Sequence, residues 1–387
     1  MAYDRELSFI YNNPTRTIYG ENSIRDIGME VENLGCSRAL LVTDKGVAEA
    51  GLADRVAQAL GRRYAGTYDR CVQDSGVHLV NEGAAFALEK GADSLVSVGG
   101  GSTIDTAKGM AVIMKEGGCL QDYSGIQMLS RPQTPHIVVP TTAGTGSEVT
   151  YAAVIKDWEQ NVKLLFCDNF IIPNTAILDP TMTAGLPAQL TATTGMDALT
   201  HAIEAIHALQ CEPISDAMAL HAIRLIVEYL PRCVEQGDDL VARGQQQIAA
   251  TMAGVAFGNA QVGLVHAMAH SVGALFKVPH GLANSILLPH VMLYNLEDCP
   301  DRYALVAQAM GLDTRALSDH EAGEAAAAAV WKLTKKMGVP QRLRDAGVPE
   351  SGLAEAANLS LSDGAIVYNP KMIMEAEEVL KVYREAW

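Results

Sequence analysis

Three histidines and one aspartate of this 387-residue chain lie in apolar segments that hold few other ionisable groups. Asp197 and His201 are four residues apart, so on a helix they would share one face. His266 belongs to a second apolar segment, and His280 follows it in a Pro-His-Gly turn, so a second helix and its following loop would complete the set. Nitrogen and oxygen donors without a thiolate suit Fe, Zn, Mn or Ni. The pattern therefore predicts a divalent metal site.

The alternative for each histidine is a buried core residue that is hydrogen-bonded to a neighbour. Several of the 10 histidines share surroundings rich in Ala, Gly and Leu, namely His201, His266, His270, His280 and His290. Because burying several unpaired imidazoles is costly, their joint occurrence favours metal binding over isolated core roles.

Two glycine-containing loops are candidates for phosphate binding. The segment Val98-Gly-Gly-Gly-Ser-Thr-Ile-Asp-Thr-Ala-Lys108 follows a predicted strand and opens a predicted helix, where backbone N–H groups would face a pyrophosphate. Its spacing is not Gly-x-Gly-x-x-Gly, so a tight turn alone is the alternative. The second loop, residues 140–148, follows another predicted strand, where ligands of open α/β sheets bind. Together the two loops favour a cofactor.

Asp44 ends the predicted strand 38–43. From this position a carboxylate can accept hydrogen bonds from ribose hydroxyls and repel an added 2′-phosphate, which favours NAD over NADP. The alternative is that Asp44 caps the next helix, and both roles are compatible.

The elements that must position these residues change in type along the chain. Through residue 180, β-rich runs alternate with helical ones; the predicted strands are 39–43, 94–98, 136–140 and 176–179, and the predicted helices lie near 47–60 and 103–115. After Pro187 only helical spacing occurs, near 188–208, 215–230, 245–257, 262–276, 301–310, 321–337 and 375–386. We therefore expect an α/β domain with a Rossmann-like, doubly wound parallel sheet over residues 1–183, followed by an all-helical, metal- and substrate-binding domain over 184–387.

Composition limits the partners. A net charge of −16 and a pI near 5.0 argue against nucleic-acid and anionic-membrane surfaces. No uncharged apolar run reaches the roughly 18 residues of a membrane span. The seven cysteines form no Cys-x-x-Cys pair, and residues 1–6 show no start of a signal peptide. We expect a cytoplasmic protein with a small-molecule partner.

Five motifs together resemble the iron-dependent, group III alcohol dehydrogenases over essentially the full length. They are Gly-Gly-Gly-Ser at 99–102, Pro-Thr-Thr-Ala-Gly-Thr-Gly-Ser-Glu at 140–148, Gly-Met-Asp-Ala-Leu-Thr-His-Ala-Ile-Glu at 195–204, His-Ala-Met-Ala-His with Pro-His-Gly at 266–281, and Ala-Asn-Ser-Ile-Leu-Leu-Pro-His at 283–290. Within that family the chain looks similar to lactaldehyde reductases and 1,3-propanediol dehydrogenases. The resemblance implies a dehydroquinate synthase-like fold.

The resemblance also implies an activity and its cofactors. The activity is the NAD(H)-dependent interconversion of a small primary alcohol or diol and its aldehyde by hydride transfer, in a homodimer or a higher homo-oligomer. A bound metal, Fe²⁺ or else Zn²⁺ or another divalent ion, polarises the substrate oxygen.

Site residues are implied in the same way. The metal ligands are Asp197, His201, His266 and His280. His270 lies beside the nicotinamide and relays the alcohol proton, or alternatively orients a ligand. Phe257 lines the substrate pocket. The residues that match cofactor contacts are Asp44, Gly100, Gly101, Ser102, Asp105, Thr141, Thr142, Thr145 and Lys163.

The chain departs from the family pattern at three places. Asp74 stands where a cofactor-binding Asn is usual, and Thr103 replaces the Pro after Gly-Gly-Gly-Ser. Val367 and Tyr368 lie in a late active-site loop and would reshape the alcohol pocket. These differences bear on specificity.

Two other classes of function remain as alternatives. A non-redox enzyme resembling dehydroquinate synthase would also pair NAD with a metal, but it needs a basic pocket for a phosphorylated substrate. The helical segments around the predicted site are instead dominated by Ala, Gly, Leu and Met. A metal hydrolase or a structural subunit would not need both Asp44 and two glycine loops.

Overall fold

The computed structural model describes residues 7–160 and 162–387. Residues 1–6, which the signal-peptide prediction concerns, lie outside this range. The described chain divides into two compact units. The sheet unit contains Pro14–Thr191 and Arg232–Gly254, and the helical unit contains Ala192–Pro231, Val255–Trp387 and the described residues before Pro14. By secondary structure, strands end at Leu178 and long helices begin at Ala188.

The sheet unit is built on a parallel sheet. Its described strands are β1 Arg16–Tyr19, β2 Ala39–Asp44, β3 Tyr64–Cys71, β4 Ser94–Gly99, β5 Gly125–Ile126, β6 His136–Pro140, β7 Ala152–Asp157, β8 Val162–Cys167 and β9 Thr175–Leu178. Six of them form a sheet in the order β1-β9-β6-β4-β2-β3, with every pair parallel. The remaining strands form a small sheet in which β7 and β8 are antiparallel. The four predicted strands are confirmed as β2, β4, β6 and β9.

Side chains on β2 show why this sheet is covered on both faces. Leu40 and Val42 belong to one hydrophobic cluster, whereas Ala39 and Leu41 belong to another. Successive side chains of a strand point to opposite faces, so helices must cover both. The continuous apolar run is what a strand buried on both faces requires, and the predicted doubly wound architecture is confirmed.

Among the described residues, this half of the chain has five α-helices: α1 Ile27–Asn33, α2 Lys45–Glu49, α3 Leu52–Leu60, α4 Val77–Glu89 and α5 Gly101–Glu116. The prediction of one continuous helix near 47–60 is wrong. Gly51 has a φ of 75°, a left-handed conformation that ends α2 and starts α3.

The rest of the described chain is helical, as predicted. Its helices are α6 Ala188–His207, α7 Pro213–Glu235, α8 Leu240–Ala260, α9 Leu264–Phe276, α10 His280–Asn295, α11 Pro300–Ala309, α12 Asp319–Lys336, α13 Leu353–Ser360 and α14 Ala376–Ala386. All seven predicted helices are confirmed, while α10 and α13 are additional. Among the described residues, no single helix is long and apolar enough to cross a membrane. The pair α8 and α9 passes only when taken together, with a bend of 104° between its members.

The expected loop position of His280 is wrong, because this residue begins α10. Pro279 is the N-cap, a place where its missing N–H costs nothing. Gly281 is needed in the first turn, since a Cβ there would overlap the backbone of Thr193 on α6. The Pro-His-Gly sequence therefore starts a helix in close contact with α6.

Candidate metal centre and nucleotide-binding loops

The four predicted metal ligands converge within the helical unit. Asp197 and His201 lie one turn apart on α6, and His266 comes from α9; one ligand atom from each lies within 4.8 Å of the others. His280, at the start of α10, places its Nε2 3.4 Å from Oδ1 of Asp197. Three helices thus bring three imidazoles and one carboxylate together, which is a donor set suited to a divalent metal.

Contacts between aromatic rings link the members of this cluster. The ring of His201 stacks on that of His266, with centroids 4.7 Å apart, and the rings of His266 and His280 are 5.2 Å apart. Phe257, a predicted pocket residue, also stacks on His201, with ring centroids 4.1 Å apart. Val367 is exposed, and the turn that contains it, Gly364–Tyr368, packs on α9.

The charge states of the cluster suit metal binding. Burial lowers the pKa of His266 to about 4, so this imidazole is neutral at physiological pH. Burial raises the pKa of Asp197, but the neighbouring histidines and a hydrogen bond from Asn284 outweigh it and hold that pKa below its ordinary value. Metals bind neutral imidazole and ionised carboxylate, so the residues present fit a divalent ion.

Glu204 orients His266, and its role was not predicted. It is fully buried on α6, where its carboxylate contacts Nδ1 of His266 and accepts a hydrogen bond from the Val265 amide at 2.8 Å. With Nδ1 engaged, Nε2 of His266 is directed to the ligand cluster. The spacing of Glu204, three residues after His201 on the same helix, was the available signal.

His270 is paired with a second residue that the sequence did not reveal. It lies one turn after His266 on α9, and its Nδ1 is 2.8 Å from Oδ2 of Asp363. Burial raises the pKa of Asp363, but the interaction with His270 keeps it below its ordinary value. The His270 ring stacks on His280 at 5.3 Å and is 36% exposed, so this ring connects the ligand cluster with solvent.

In the sheet unit, the two predicted glycine loops contact each other. They follow β4 and β6, which are neighbouring strands. A Cβ on Gly100 would lie 3.2 Å from Cγ2 of Thr142, and one on Gly101 would lie 2.9 Å from Cγ2 of Thr145. The amide of Thr141 donates to the carbonyl of Gly99 at 3.0 Å. A side chain at position 101 would therefore force Thr145 to move, and one at position 100 would crowd Thr142.

Asp44 is engaged on both carboxylate oxygens. Oδ1 accepts from the Val47 amide at 2.9 Å and caps α2, which confirms the predicted cap. Oδ2 accepts from the hydroxyl of Thr103 at 3.3 Å, so the residue that replaces the usual Pro supports Asp44. The ribose contact of Asp44 stays a prediction.

Other predicted cofactor residues are also bonded within the sheet unit. Asp105 accepts from the Ser147 hydroxyl at 2.6 Å and from the Val154 amide at 3.0 Å, so it ties α5 to the second glycine loop. Asp74 has a φ of 51°; its carboxylate lies 3.0 Å from Nζ of Lys163, and its amide lies 3.4 Å from Oγ of Ser102. The two predicted contacts Asp74 and Lys163 thus form an ion pair.

A parallel α/β unit with paired glycine loops and a helical unit with a His₃Asp cluster indicate a metal-dependent oxidoreductase. Residues 14–180 match the family described as iron-containing alcohol dehydrogenase, and residues 191–387 match its C-terminal part. The chain belongs to the iron-containing alcohol dehydrogenases and is an oxidoreductase.

Individual relatives cover almost the whole chain. The 1,3-propanediol dehydrogenase of Klebsiella pneumoniae is 40% identical over 385 residues, which is 98% of this chain and 99% of the relative. The NAD-dependent methanol dehydrogenase of Bacillus methanolicus is 37% identical over 96% of this chain and 98% of its own length. A crystal structure of a 1,3-propanediol oxidoreductase superposes with a TM-score of 0.96 at 40% identity and covers 98% of this chain and 100% of that one.

Proposed function

We propose that this protein uses a divalent metal and NAD(H) to interconvert a small primary alcohol or diol and its aldehyde. The observation that carries the proposal is the convergence of Asp197, His201 and His266 with His280 in the helical unit. The names of two relatives, a 1,3-propanediol dehydrogenase and an NAD-dependent methanol dehydrogenase, support the substrate class and the cofactor.

The metal, proposed as Fe²⁺ with Zn²⁺ or another divalent ion as alternatives, would supply a Lewis acid for the substrate oxygen while NAD accepts or returns the hydride. Asp197 contributes the only carboxylate of the ligand set, so one ligand charge balances part of the cation charge. Glu204 fixes the tautomer and the orientation of His266. The protein supplies no nucleophile in this scheme.

His270 is proposed to move the alcohol proton. Oxidation of an alcohol to an aldehyde releases a hydride and a proton, and the proton must reach solvent. Because Asp363 holds Nδ1 of His270, the other ring nitrogen remains available to accept it, and the partial exposure of the ring provides the exit. In aldehyde reduction the same residue would return the proton.

Substrate and cofactor selection are assigned to separate residues. Phe257, beside His201, is proposed to form an apolar wall of the alcohol pocket, with Val367 and Tyr368 shaping its entrance. Asp44 is proposed to favour NAD by repelling the 2′-phosphate of NADP. Gly100, Gly101, Ser102, Thr141, Thr142 and Thr145 are proposed to line the pyrophosphate site.

A homo-oligomer located in the cytoplasm is also proposed. The seven cysteines are all free thiols, which supports a reducing compartment. Light scattering during size-exclusion chromatography would distinguish a dimer from larger assemblies.

The test is NADH oxidation by anaerobically purified protein with a panel of small aldehydes. Activity should disappear on chelation and return on addition of Fe²⁺ or Zn²⁺. Turnover that persists after complete metal removal would contradict the proposal. NADH binding without turnover on any aldehyde would instead favour a non-redox enzyme of the dehydroquinate synthase type.

A further inference from the structure

Asn284 contacts three of the four predicted metal ligands. It lies one turn after His280 on α10 and is fully buried. Its Nδ2 is 2.6 Å from Oδ1 of Asp197, 3.1 Å from Nε2 of His280 and 3.3 Å from Nε2 of His266. A single amide group therefore links ligand atoms from α6, α9 and α10.

The chemistry of the neighbours fixes which end of the amide faces them. An oxygen beside the Asp197 carboxylate would place two acceptors together, so the nitrogen must point that way. One N–H donates to Asp197, and before a metal binds the other faces the Nε2 atoms of His266 and His280. Glu204 holds Nδ1 of His266, which leaves Nε2 as the accepting atom.

This orientation has a cost. Within the described chain, Oδ1 of Asn284 is buried with no hydrogen-bond partner. Native proteins leave few buried polar atoms unpaired, because each lost hydrogen bond to water is uncompensated. An apolar residue of similar size would remove the unpaired oxygen, so packing alone does not explain an asparagine here.

We propose that Asn284 is a positioning residue for the metal centre, an inference that rests on the proposed metal-dependent function. Its N–H donates to one lone pair of Oδ1 of Asp197 and leaves the other lone pairs of that carboxylate for a metal. Each Nε2 of His266 and His280 has a single lone pair, so the amide holds these two rings toward a common point until a metal displaces it. Without it, these side chains regain rotational freedom that metal binding must then remove, and the affinity for metal falls.

Asn284→Leu and Asn284→Ala test this proposal in the full chain. The leucine variant keeps the helix and most of the volume, and it removes the unpaired oxygen. Asn295→Ala is the matched control, because Asn295 is a buried asparagine of the same helix whose amide pairs with Asn369 at 2.9 Å rather than with a ligand. After metal removal, Zn²⁺ affinity is measured by competition with a chelator, and the Co²⁺-loaded proteins are compared by visible absorption.

Both Asn284 variants should bind Zn²⁺ about 10- to 100-fold more weakly and show an altered Co²⁺ spectrum. The chelated leucine variant should melt close to the native temperature, and Asn295→Ala should keep native affinity. If Asn284→Ala does not fold, the leucine variant alone is sufficient to test the proposal.

Native Zn²⁺ affinity and a native Co²⁺ spectrum in Asn284→Leu would overturn the inference. An equal loss of affinity in Asn295→Ala would also overturn it, since general loosening of α10 would then explain the effect. If the native protein itself bound no metal, the proposed function would fail instead, so the two failures are distinguishable.

Discussion

The candidate metal centre and the two glycine loops differ in how their residues would support the proposed function. In the helical unit the function depends on side chains that are present, because Asp197, His201 and His266 converge through their donor atoms. In the sheet unit it depends on side chains that are absent, because Gly100 and Gly101 leave room for the side chains of Thr142 and Thr145 on the other loop. In a sequence, the first kind of site is recognised from its residue types. The second kind is recognised only from the strands and helices predicted around the glycines.

The acidic residues of the two regions also differ. Asp44 caps a helix and Asp105 ties α5 to a loop, so these carboxylates have structural roles whether or not they contact a cofactor. Asp197 instead accepts from Asn284 and faces imidazoles. Complete removal of a sheet-unit carboxylate should therefore affect local structure as well as cofactor binding, whereas substitution of a ligand should affect metal binding and, through it, turnover.

Asp197→Ala should produce the largest effect. Removal of the only carboxylate ligand should reduce bound metal and turnover by more than about 100-fold, a larger effect than that of losing an orienting partner. NADH binding should stay near native, because the glycine loops belong to the other unit. Metal analysis, kcat and NADH fluorescence titration measure the three quantities. Asp313→Ala, at an exposed carboxylate, should leave all of them unchanged, and turnover by metal-free Asp197→Ala would contradict the assignment.

His270→Ala should produce the next largest effect. Loss of the proposed proton relay should lower kcat by about 100-fold, the lower end of what a general acid–base group contributes, while metal content stays native. Asp363→Asn should lower kcat less and alter the pH profile, because the carboxylate that holds Nδ1 of His270 loses its charge. If His270→Ala loses metal instead, the residue is a ligand or an orienting group rather than a relay.

Gly101→Ala tests the sheet unit by adding a side chain. The new Cβ would lie 2.9 Å from Cγ2 of Thr145, so the loops must separate and NADH affinity should fall by about 10-fold, a cost of about 1.4 kcal/mol. Metal content should not change. Adding Thr145→Ala removes the overlapping Cγ2 atom. The double variant should therefore bind NADH more tightly than the sum of the binding free-energy changes of the two single variants predicts. Strict additivity would show that loop contact does not set the affinity.

Asp44→Asn should have the smallest effect and separate its two roles. Asparagine still caps a helix but carries no charge, so the use of NADP relative to NAD should rise by about 10-fold with little change in melting temperature. Asp44→Gly should raise NADP use similarly and cost at most a few tenths of a kcal/mol if the cap behaves as expected. The measurement is the ratio of kcat/KM with NADP to kcat/KM with NAD. An unchanged ratio in both variants would show that Asp44 acts only as a helix cap.

The sequence predicted the central strands and most of the long helices because their periodicity is strong, but it did not predict α1, α4, α10 and α13. It missed β1 and β3, which are edge strands, and the β7–β8 hairpin, whose exposed faces carry mixed residues. The break at Gly51 and the start of α10 at His280 were also missed, because glycine and proline mark helix ends and turns equally well.

What the sequence by itself determined was the set of residue types and their local spacing. The pair Asp197 and His201 shares a helical face in any fold that keeps α6, and the fold class follows from the change from alternating elements to helices alone. Tertiary structure alone decided which distant groups meet. Glu204 lies 62 residues from His266, Asn284 lies 87 from Asp197, and Asp363 lies 93 from His270. Local periodicity carries no information across such separations, because these contacts are set by how α6, α9, α10 and the turn after Asp363 pack.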